Sequence, residues 1–197
     1  MNRLILAAAL SLAAAAPAFA APVAYTIDPS HTQTTFQVDR FGFTTILGAF
    51  TQAEGTIWID EADPKASRVE ATVKTASLVA GDPTREDHLK SDGWLNAAAH
   101  PLITFKSTKT VPTGKDTADV TGDFTLNGVT KPVTFKVKLN KLAKAPGSGK
   151  PAAGFTITGE IVRADFGITK AAGMIGDKVP VRLEVLAVDQ SAAPAAK

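Results

Sequence analysis

The residues of this chain best suited to metal or acid–base chemistry are its three histidines. His31 follows the turn-forming residues 28–30, His88 lies in a run of helical composition, and His100 precedes Pro101. Three imidazoles and a water would make a plausible zinc site. The three positions have unrelated local contexts and no motif spacing, which favours hydrogen-bonding roles instead. We therefore predict no metal site and no catalytic residue.

Other catalytic signatures are also missing from the sequence. It contains no glycine-flanked serine of the hydrolase type and no glycine-rich phosphate loop. Because it has no cysteine, it can form no disulfide, no thiolate metal site and no cysteine-linked lipid anchor. Its 21 basic and 19 acidic side chains are interspersed, so they create no field that favours nucleic acid or an anionic membrane. We expect a protein that is not an enzyme, needs no cofactor and binds no nucleic acid.

Two arginines could bind the polar part of a ligand. Arg163 and Asp165 are two residues apart and share one face of a predicted strand. Arg85 and Asp87 could meet near the start of a predicted helix. A planar guanidinium suits phosphate or carbonyl oxygens, but it also forms structural pairs with carboxylates, which is the commoner outcome. The candidate head-group residues are His31, Arg85, His88, Arg163 and Asp165. For His31, the alternative is a turn histidine bonded to backbone.

Most of these side chains must be positioned by β-strands, because apolar and polar residues alternate with a period of two. In residues 133–139, Val, Phe, Val and Leu fall on one side, and Thr, Lys and Lys fall on the other. Such a strand has one dry face and one wet face. Strands are predicted at residues 24–27, 33–38, 44–51, 55–59, 68–75, 102–110, 118–126, 129–143, 155–166 and 179–188. One helix is predicted at residues 82–96, with Asp82 as its cap and Gly93 weakening its continuation.

Many amphipathic strands with almost no helix to cover them indicate a sandwich or a closed barrel, and a barrel of about eight strands can enclose one small ligand. Asn127-Gly128 predicts a tight hairpin turn, because both of its central residues need positive φ. Pro132 and Pro180 cannot donate to a sheet ladder and are expected at an edge, a strand start or a bulge. We predict an all-β antiparallel barrel.

The N-terminal residues read as a secretion signal. A basic start is followed by an apolar run from Leu4 to Ala16 and by Ala18-Phe19-Ala20, which predicts cleavage after Ala20. The alternative is an uncleaved membrane anchor, but the prolines and small alanines of this region make a weak spanning helix. We expect a signal peptide at residues 1–20, one barrel domain at 21–190, a flexible tail at 191–197, and no stable membrane span.

Five separated motifs, in this order and spacing, resemble the YceI-like family of exported lipid-binding proteins. They lie at residues 27–31, 84–89, 100–107, 122–128 and 163–167. The resemblance covers about Tyr25 to Val188 and implies a lipocalin-like barrel with a short helix near its mouth. It also implies an apolar cavity that holds polyisoprenoid, quinone-like or fatty amphiphiles. The chain departs from the family pattern at residues 39–43, 85–87 and 93–95.

Apolar residues at alternating strand positions, together with two from the helix, are the candidates for the cavity lining. They are Phe36, Val38, Phe43, Phe50, Leu89, Trp94, Phe105, Phe124, Leu126, Phe135, Phe155 and Phe166. Ordinary core filling is the alternative for each ring, since small barrels also need filled interiors. Trp94 has a polar N–H that suits a mouth where an apolar tail meets a wet head group, so we expect the helix to act as a lid.

The sequence is best explained by a periplasmic carrier that holds an isoprenoid, quinone-like or other long-chain amphiphile without chemistry of its own. Two other classes stay open. One is an enzyme acting on a lipid-like substrate, metal-assisted through its histidines. The other is a stress-related interaction protein whose exposed strand edges recruit partners. The oligomeric state is also open, a homodimer included.

Overall fold

The structure is a computed structural model, and it describes residues 21–189. The predicted signal peptide at residues 1–20 and the predicted tail at 191–197 lie outside these residues. The described part of the chain contains eleven strands and one α-helix. They are β1 (Val23–Ile27), β2 (Gln33–Arg40), β3 (Thr44–Phe50), β4 (Ala53–Ile59), β5 (Arg68–Lys74), β6 (Leu78–Val79), α1 (Pro83–Lys90), β7 (Leu102–Pro112), β8 (Thr117–Leu126), β9 (Val129–Lys144), β10 (Pro151–Val162) and β11 (Lys178–Asp189).

Eight of these strands close into an antiparallel barrel, as the sequence predicts. The order around it is β1, β4, β5, β7, β8, β9, β10 and β11, and β11 returns to β1 through the pairs from Tyr25↔Asp189 to Ile27↔Ala187. Closure leaves these eight strands without a free edge for most of their length. The interior is therefore the only place where the inward apolar faces can be buried.

The other three strands, β2, β3 and β6, extend the wall at one end of the barrel. The first half of β11 pairs with β2 instead of β1, β2 pairs with β3, and β3 pairs with the two-residue strand β6. Within the described residues β6 ends the strand order, and α1 lies in contact with it. The Thr75 N–H also donates a hydrogen bond to the Pro101 carbonyl, at 2.9 Å. The helix and the segment that follows it thus cover the open side of this end.

Strand boundaries differ from the predicted ones where side chains or glycine bend the backbone. The predicted strand at residues 155–166 begins earlier, at Pro151, and ends at Val162, because Arg163–Phe166 form a 3-10 turn that Gly167 terminates with φ of +73°. Arg163 and Asp165 therefore do not share a strand face. That part of the prediction is wrong.

The helix is half as long as predicted. Asp82 caps it as expected, its Oδ1 accepting the Arg85 N–H at 2.8 Å. It ends after Lys90, where Ser91 is extended and its Oγ donates to the His88 carbonyl at 2.7 Å. Gly93 and Asn96 then adopt positive φ, of 79° and 45°. Left-handed residues interrupt a right-handed helix, so residues 91–96 form turns.

The predicted hairpin turn is confirmed, because Asn127 and Gly128 have φ of 50° and 74°. Both prolines lie where their strand is paired on one side only. Pro132 pairs with β8 but lies beyond the pairing of β9 with β10, and Pro180 pairs with β10 but lies before the pairing of β11 with β2. Proline is tolerated there because no ladder bond needs its missing hydrogen.

Two apolar clusters divide the barrel interior. One, around Tyr25, Phe155 and Val185, fills the end distant from α1, and the partly buried Ala71 and Val137 pack against it. The other, around Ile103, Phe135 and Ile161, lies toward α1 and includes Phe166 from the 3-10 turn. The far end of the barrel is thus a packed core, and any large cavity must lie at the α1 end.

Candidate ligand-binding cavity

A cavity of about 580 Å3 opens at the α1 end of the barrel. This volume lies within the range of roughly 300–1,000 Å3 typical of small-molecule sites. The walls come from strands β2, β3, β6, β7, β8, β10 and β11, from α1 with the residues on either side of it, and from the segment between β10 and β11. Exposed lining residues mark the mouth, with Arg40 and Phe41 on one side and Thr84 and His88 on another.

The wall is mostly apolar, and it contains seven of the twelve predicted lining residues. Those seven are Phe36, Val38, Phe50, Leu89, Trp94, Phe124 and Leu126. Phe36 and Phe50 form an aromatic pair with centroids 5.6 Å apart. The alternation along each strand points these rings into the barrel. They line the cavity because they lie near the α1 end of the barrel.

Aliphatic residues that the sequence analysis did not single out complete the wall. They are Ile46, Leu78, Leu95, Ile103, Ile161, Ile168, Ala171, Ile175, Val179 and Val181. The period of two on β3, β10 and β11 could have identified Ile46, Ile161 and Val181. Ala171 and Ile175 lie in the irregular segment between β10 and β11, where no periodicity exists to find them.

Three predicted lining residues form the floor behind the cavity wall instead. Phe135 stacks edge-on against Phe105 and Phe124 with centroids 5.2 and 6.0 Å away, and Phe166 packs edge-on against Phe124 at 5.4 Å. Phe135 lies so close to Gly159 that a side chain there would overlap its ring. Of these rings only Phe124 lines the cavity. Phe105, Phe135 and Phe166 are core residues, as the alternative reading held.

Phe43 and Phe155 are also misplaced by the prediction. Phe155 belongs to the packed core at the far end of the barrel. Phe43 follows the two central residues of the β2–β3 turn and is 91% exposed, so it points into solvent. A strand period says which face a residue occupies, but it fails at a turn and does not report depth.

Arg163 is the most buried charged group of the cavity wall, with only 5% of its surface exposed. The segment between β10 and β11 folds around its guanidinium. Nη1 donates to the carbonyls of Ile168 and Lys170 at 2.8 and 2.7 Å, and Nε donates to Gly176 O at 3.1 Å. The Asp177 carboxylate lies 3.3 Å from Nε, so the charge partner is Asp177 and not Asp165.

Two nitrogen donors of the cavity wall are buried without a hydrogen-bond partner among the described residues. They are Arg163 Nη2 and Trp94 Nε1. We expected the Trp94 N–H at a wet mouth, but it is enclosed, and its indole packs edge-on against His88 with centroids 5.4 Å apart. Leaving a buried donor unpaired costs about 1–3 kcal/mol. An acceptor that reached either donor would remove this cost, and the protein itself supplies none among the described residues.

The other head-group candidates separate into two groups. Arg85 and His88 line the cavity mouth, and Arg85 Nη1 donates to Ala80 O at 2.6 Å instead of meeting Asp87. Asp165 forms an exposed ion pair with Lys131 at 3.2 Å, away from the cavity wall. His31 is also remote from the cavity, in a 3-10 turn between β1 and β2.

The turn that carries His31 is held by side chains. His31 Nδ1 lies 2.8 Å from Asp28 Oδ2, and Ser30 Oγ donates to Asp28 Oδ1 at 2.6 Å. The hydrogen bonds from Ser30 and then from His31 hold the pKa of Asp28 below its ordinary value. His31 thus bonds a carboxylate and not the backbone. Across residues 21–189, no group of three or more His, Asp or Glu side chains is placed to hold a metal ion.

Comparison with known proteins places this geometry in a family. Residues 25–187 match the YceI-like domain. A protein of Ectopseudomonas mendocina named UPF0312 protein is 38% identical over 168 residues, which is 84% of this chain and 87% of that protein. Protein YceI of an Escherichia coli strain has the same identity and coverage. The chain belongs to the YceI-like family.

Solved structures agree with the YceI-like barrel. Campylobacter jejuni YCEI protein is 27% identical, with a TM-score of 0.69 over 75% of this chain and 87% of that one. Burkholderia cenocepacia BcnA shares the fold, with a TM-score of 0.74 at 21% identity over 81% of this chain and 98% of that one. A polyisoprenoid binding domain from Saccharophagus degradans does so too, with a TM-score of 0.64 at 16% identity over 85% and 99% of the two chains.

The one α-helix in the described part of this YceI-like chain, α1, has eight residues. In the described residues, no helix has the length and apolar composition that crossing a bilayer as a helix would require.

Proposed function

We propose that this protein is a periplasmic carrier that holds a quinone-like isoprenoid, its apolar part in the cavity and an oxygen of its head group against Arg163 and Trp94. The observation that carries the proposal is the pair of buried, unpartnered donors on residues of a mostly apolar wall. The periplasmic location is inferred from the secretion signal in the sequence.

The apolar wall supplies affinity for the hydrocarbon part of such a ligand. Each 100 Å2 or so of tail that leaves water contributes about 2.5 kcal/mol, at about 25 cal/mol per Å2. No charged contact is needed for this part of the binding. Catalysis is not needed either, since holding and releasing a lipid requires only a dry site and an open mouth.

The donors favour a neutral carbonyl or hydroxyl oxygen over a phosphate. The charge of Arg163 is already faced by Asp177, and three of its hydrogen-bonding directions are taken by backbone carbonyls. The donors left for a ligand oxygen are the two N–H groups of Arg163 Nη2 and the indole N–H of Trp94. A phosphate, with three oxygens and a larger charge, would be left mostly unsatisfied there.

The family supports a binding role. The Saccharophagus degradans relative by fold is named for polyisoprenoid binding. We carry that ligand class to this chain as part of the proposal.

Replacing Trp94 by phenylalanine tests the head-group contact, because it removes one N–H and keeps an aromatic ring. Affinity for a prenylated benzoquinone should fall about tenfold, the loss of one hydrogen bond of about 1–1.5 kcal/mol. Affinity for squalene, an isoprenoid hydrocarbon without a head group, should stay the same. Equal losses for both ligands would show that Trp94 acts by shape alone. Failure of the wild-type protein to bind either ligand would refute the carrier function.

Native mass spectrometry of protein purified from its own periplasm, followed by organic extraction, tests the ligand class directly. We expect a co-purifying isoprenoid with a carbonyl or hydroxyl head group. A phospholipid or a fatty acid in its place would contradict the quinone-like assignment while keeping the cavity as a lipid site.

A further inference from the structure

Three exposed apolar side chains belong to two adjoining segments at one side of the cavity mouth. Phe41 and Phe43, from the turn between β2 and β3, are 41% and 91% exposed, and Met174, from the segment between β10 and β11, is 57% exposed. We call these three residues the apolar tip. The turn and the segment are joined, since Arg40 and Ile175 form a β-bridge and Gly176 N donates to Asp39 O at 3.0 Å.

The apolar tip is continuous with the cavity. Phe41 and Ile175 line the cavity, and together with Met174 they also line a shallow depression beside it. A lipid leaving the cavity on this side would pass directly over the tip. Exposed apolar side chains scattered singly need no explanation, whereas a cluster at the rim of an apolar cavity marks an interaction surface.

The turn between β2 and β3 does not favour a phenylalanine at position 41. Phe43 N bonds Arg40 O at 3.0 Å, and Phe41 and Gly42 have φ of 57° and 70°, the geometry of a type I′ turn. Asparagine, aspartate or glycine is preferred at the first central position, and positive φ is strained for a bulky residue. Backbone preference therefore does not account for a phenylalanine at this position.

The charges around the tip favour an anionic partner. Arg40 forms no ion pair within the described residues, and its guanidinium lies 4.5 Å from the centre of the Phe41 ring. Of the carboxylates of this side, Asp177 faces Arg163, and Asp39 accepts the Gly42 N–H at 3.0 Å without forming an ion pair. The overall charge of the chain is mixed, but this side presents an unpaired guanidinium against a phenyl ring.

We propose that the apolar tip docks the cavity mouth onto an anionic phospholipid bilayer. Aromatic and methionine side chains would enter the boundary between head groups and acyl chains, while Arg40 meets lipid phosphates. Docking rests on the tip itself. Its purpose, transfer of a lipid between membrane and cavity without passage through water, rests on the proposed carrier function.

Flotation of the mature protein with vesicles of phosphatidylcholine and phosphatidylglycerol, free of quinone, tests the docking. The wild-type protein should float with these vesicles. Phe43→Ser should reduce the partition coefficient about tenfold or more, because the variant loses the free energy gained when the phenyl ring leaves water for the bilayer. The matched control is Val111→Ser, because Val111 is an exposed apolar residue on β7 near the opposite end of the barrel. This variant should float like the wild type.

Two further variants separate docking from folding and from charge. Phe41→Asn should weaken flotation while unfolding temperature stays equal or rises, because asparagine fits the type I′ turn. Arg40→Gln should weaken flotation with phosphatidylglycerol vesicles and have little effect with pure phosphatidylcholine.

Each result has a counterpart that would overturn the proposal. Wild-type protein that binds neither kind of vesicle, or Phe43→Ser protein that floats normally, would do so. Phe43→Ser protein that loses a dimer in sedimentation velocity, with vesicle binding unchanged, would show instead that the tip joins two copies of the chain. Because Phe43 lies outside the cavity, its variant should still bind prenylated benzoquinone. If the wild-type protein fails to bind prenylated benzoquinone, the carrier function is refuted, whereas membrane docking is still tested by flotation alone.

Discussion

The ring of Phe36 occupies the space that a side chain at Gly48 would need. The two residues lie directly opposite each other on β2 and β3, and a Cβ at position 48 would overlap the end of the Phe36 ring. Phe36 lines the cavity and packs against Phe50. The absence of a side chain at Gly48 therefore determines where one ring of the cavity wall lies.

We expect Gly48→Ala to displace the Phe36 ring and to change the cavity. Overpacking of this kind typically costs about 1–3 kcal/mol, and a ring turned into the cavity should also weaken ligand binding. Urea unfolding and quinone binding on the same protein give both numbers. Gly154→Ala is the control, because nothing lies within 4 Å of a Cβ built there. Equal effects of the two variants would show that the Phe36 contact is not the cause.

Enlarging Val179 and enlarging Val137 should have opposite consequences, although the period of two points both side chains inward. Val179 lines the cavity, so Val179→Phe should reduce ligand binding with little loss of stability. Val137 packs against the far core, so Val137→Phe should cost about 1–3 kcal/mol and leave binding intact in the folded fraction. Thermal unfolding with binding titrations measures both. The reverse pattern would contradict the division of the barrel into a core and a cavity.

The Asp28 turn should make stability depend on pH. Since the pKa of Asp28 is lower in the folded protein than its ordinary value of about 3.9, its stabilisation is fully present above that value and is lost as pH falls through the folded pKa. Asp28→Ala should therefore destabilise the protein at neutral pH, by about 0.5–2 kcal/mol for a lost cap, and much less in strong acid. Asp28→Asn, which keeps a capping oxygen, should cost less and remove this pH dependence. Urea unfolding at several pH values provides the measurement.

The exported form should begin near Ala21. Ala18 and Ala20 provide the small residues that a signal peptidase needs before the cut. N-terminal sequencing of the protein from the periplasm decides this. Protein that retains residues 4–16 and stays with the membrane would contradict the soluble-carrier proposal.

The local features of the fold were predictable from the sequence because each depends on neighbouring residues. Alternation along residues 133–139 identified β9, Asn127-Gly128 specified its turn, and Asp82 marked the start of α1. The same alternation placed Phe36 and Phe124 on the inner face. The two-residue strand β6 gave no such signal, because two residues are too few to show a period.

Depth in the barrel and long-range partners were decided only by the tertiary structure. Alternation assigns Phe155 and Phe124 to the same kind of inner face, yet the stagger of the strands puts one in the far core and the other at the cavity. Arg163 meets Asp177 and not Asp165, because a 3-10 turn and the segment after it wrap around its guanidinium. A period of two records which side of a strand a residue occupies. The level at which it lies, and what meets it there, depend on how distant parts of the chain close on one another.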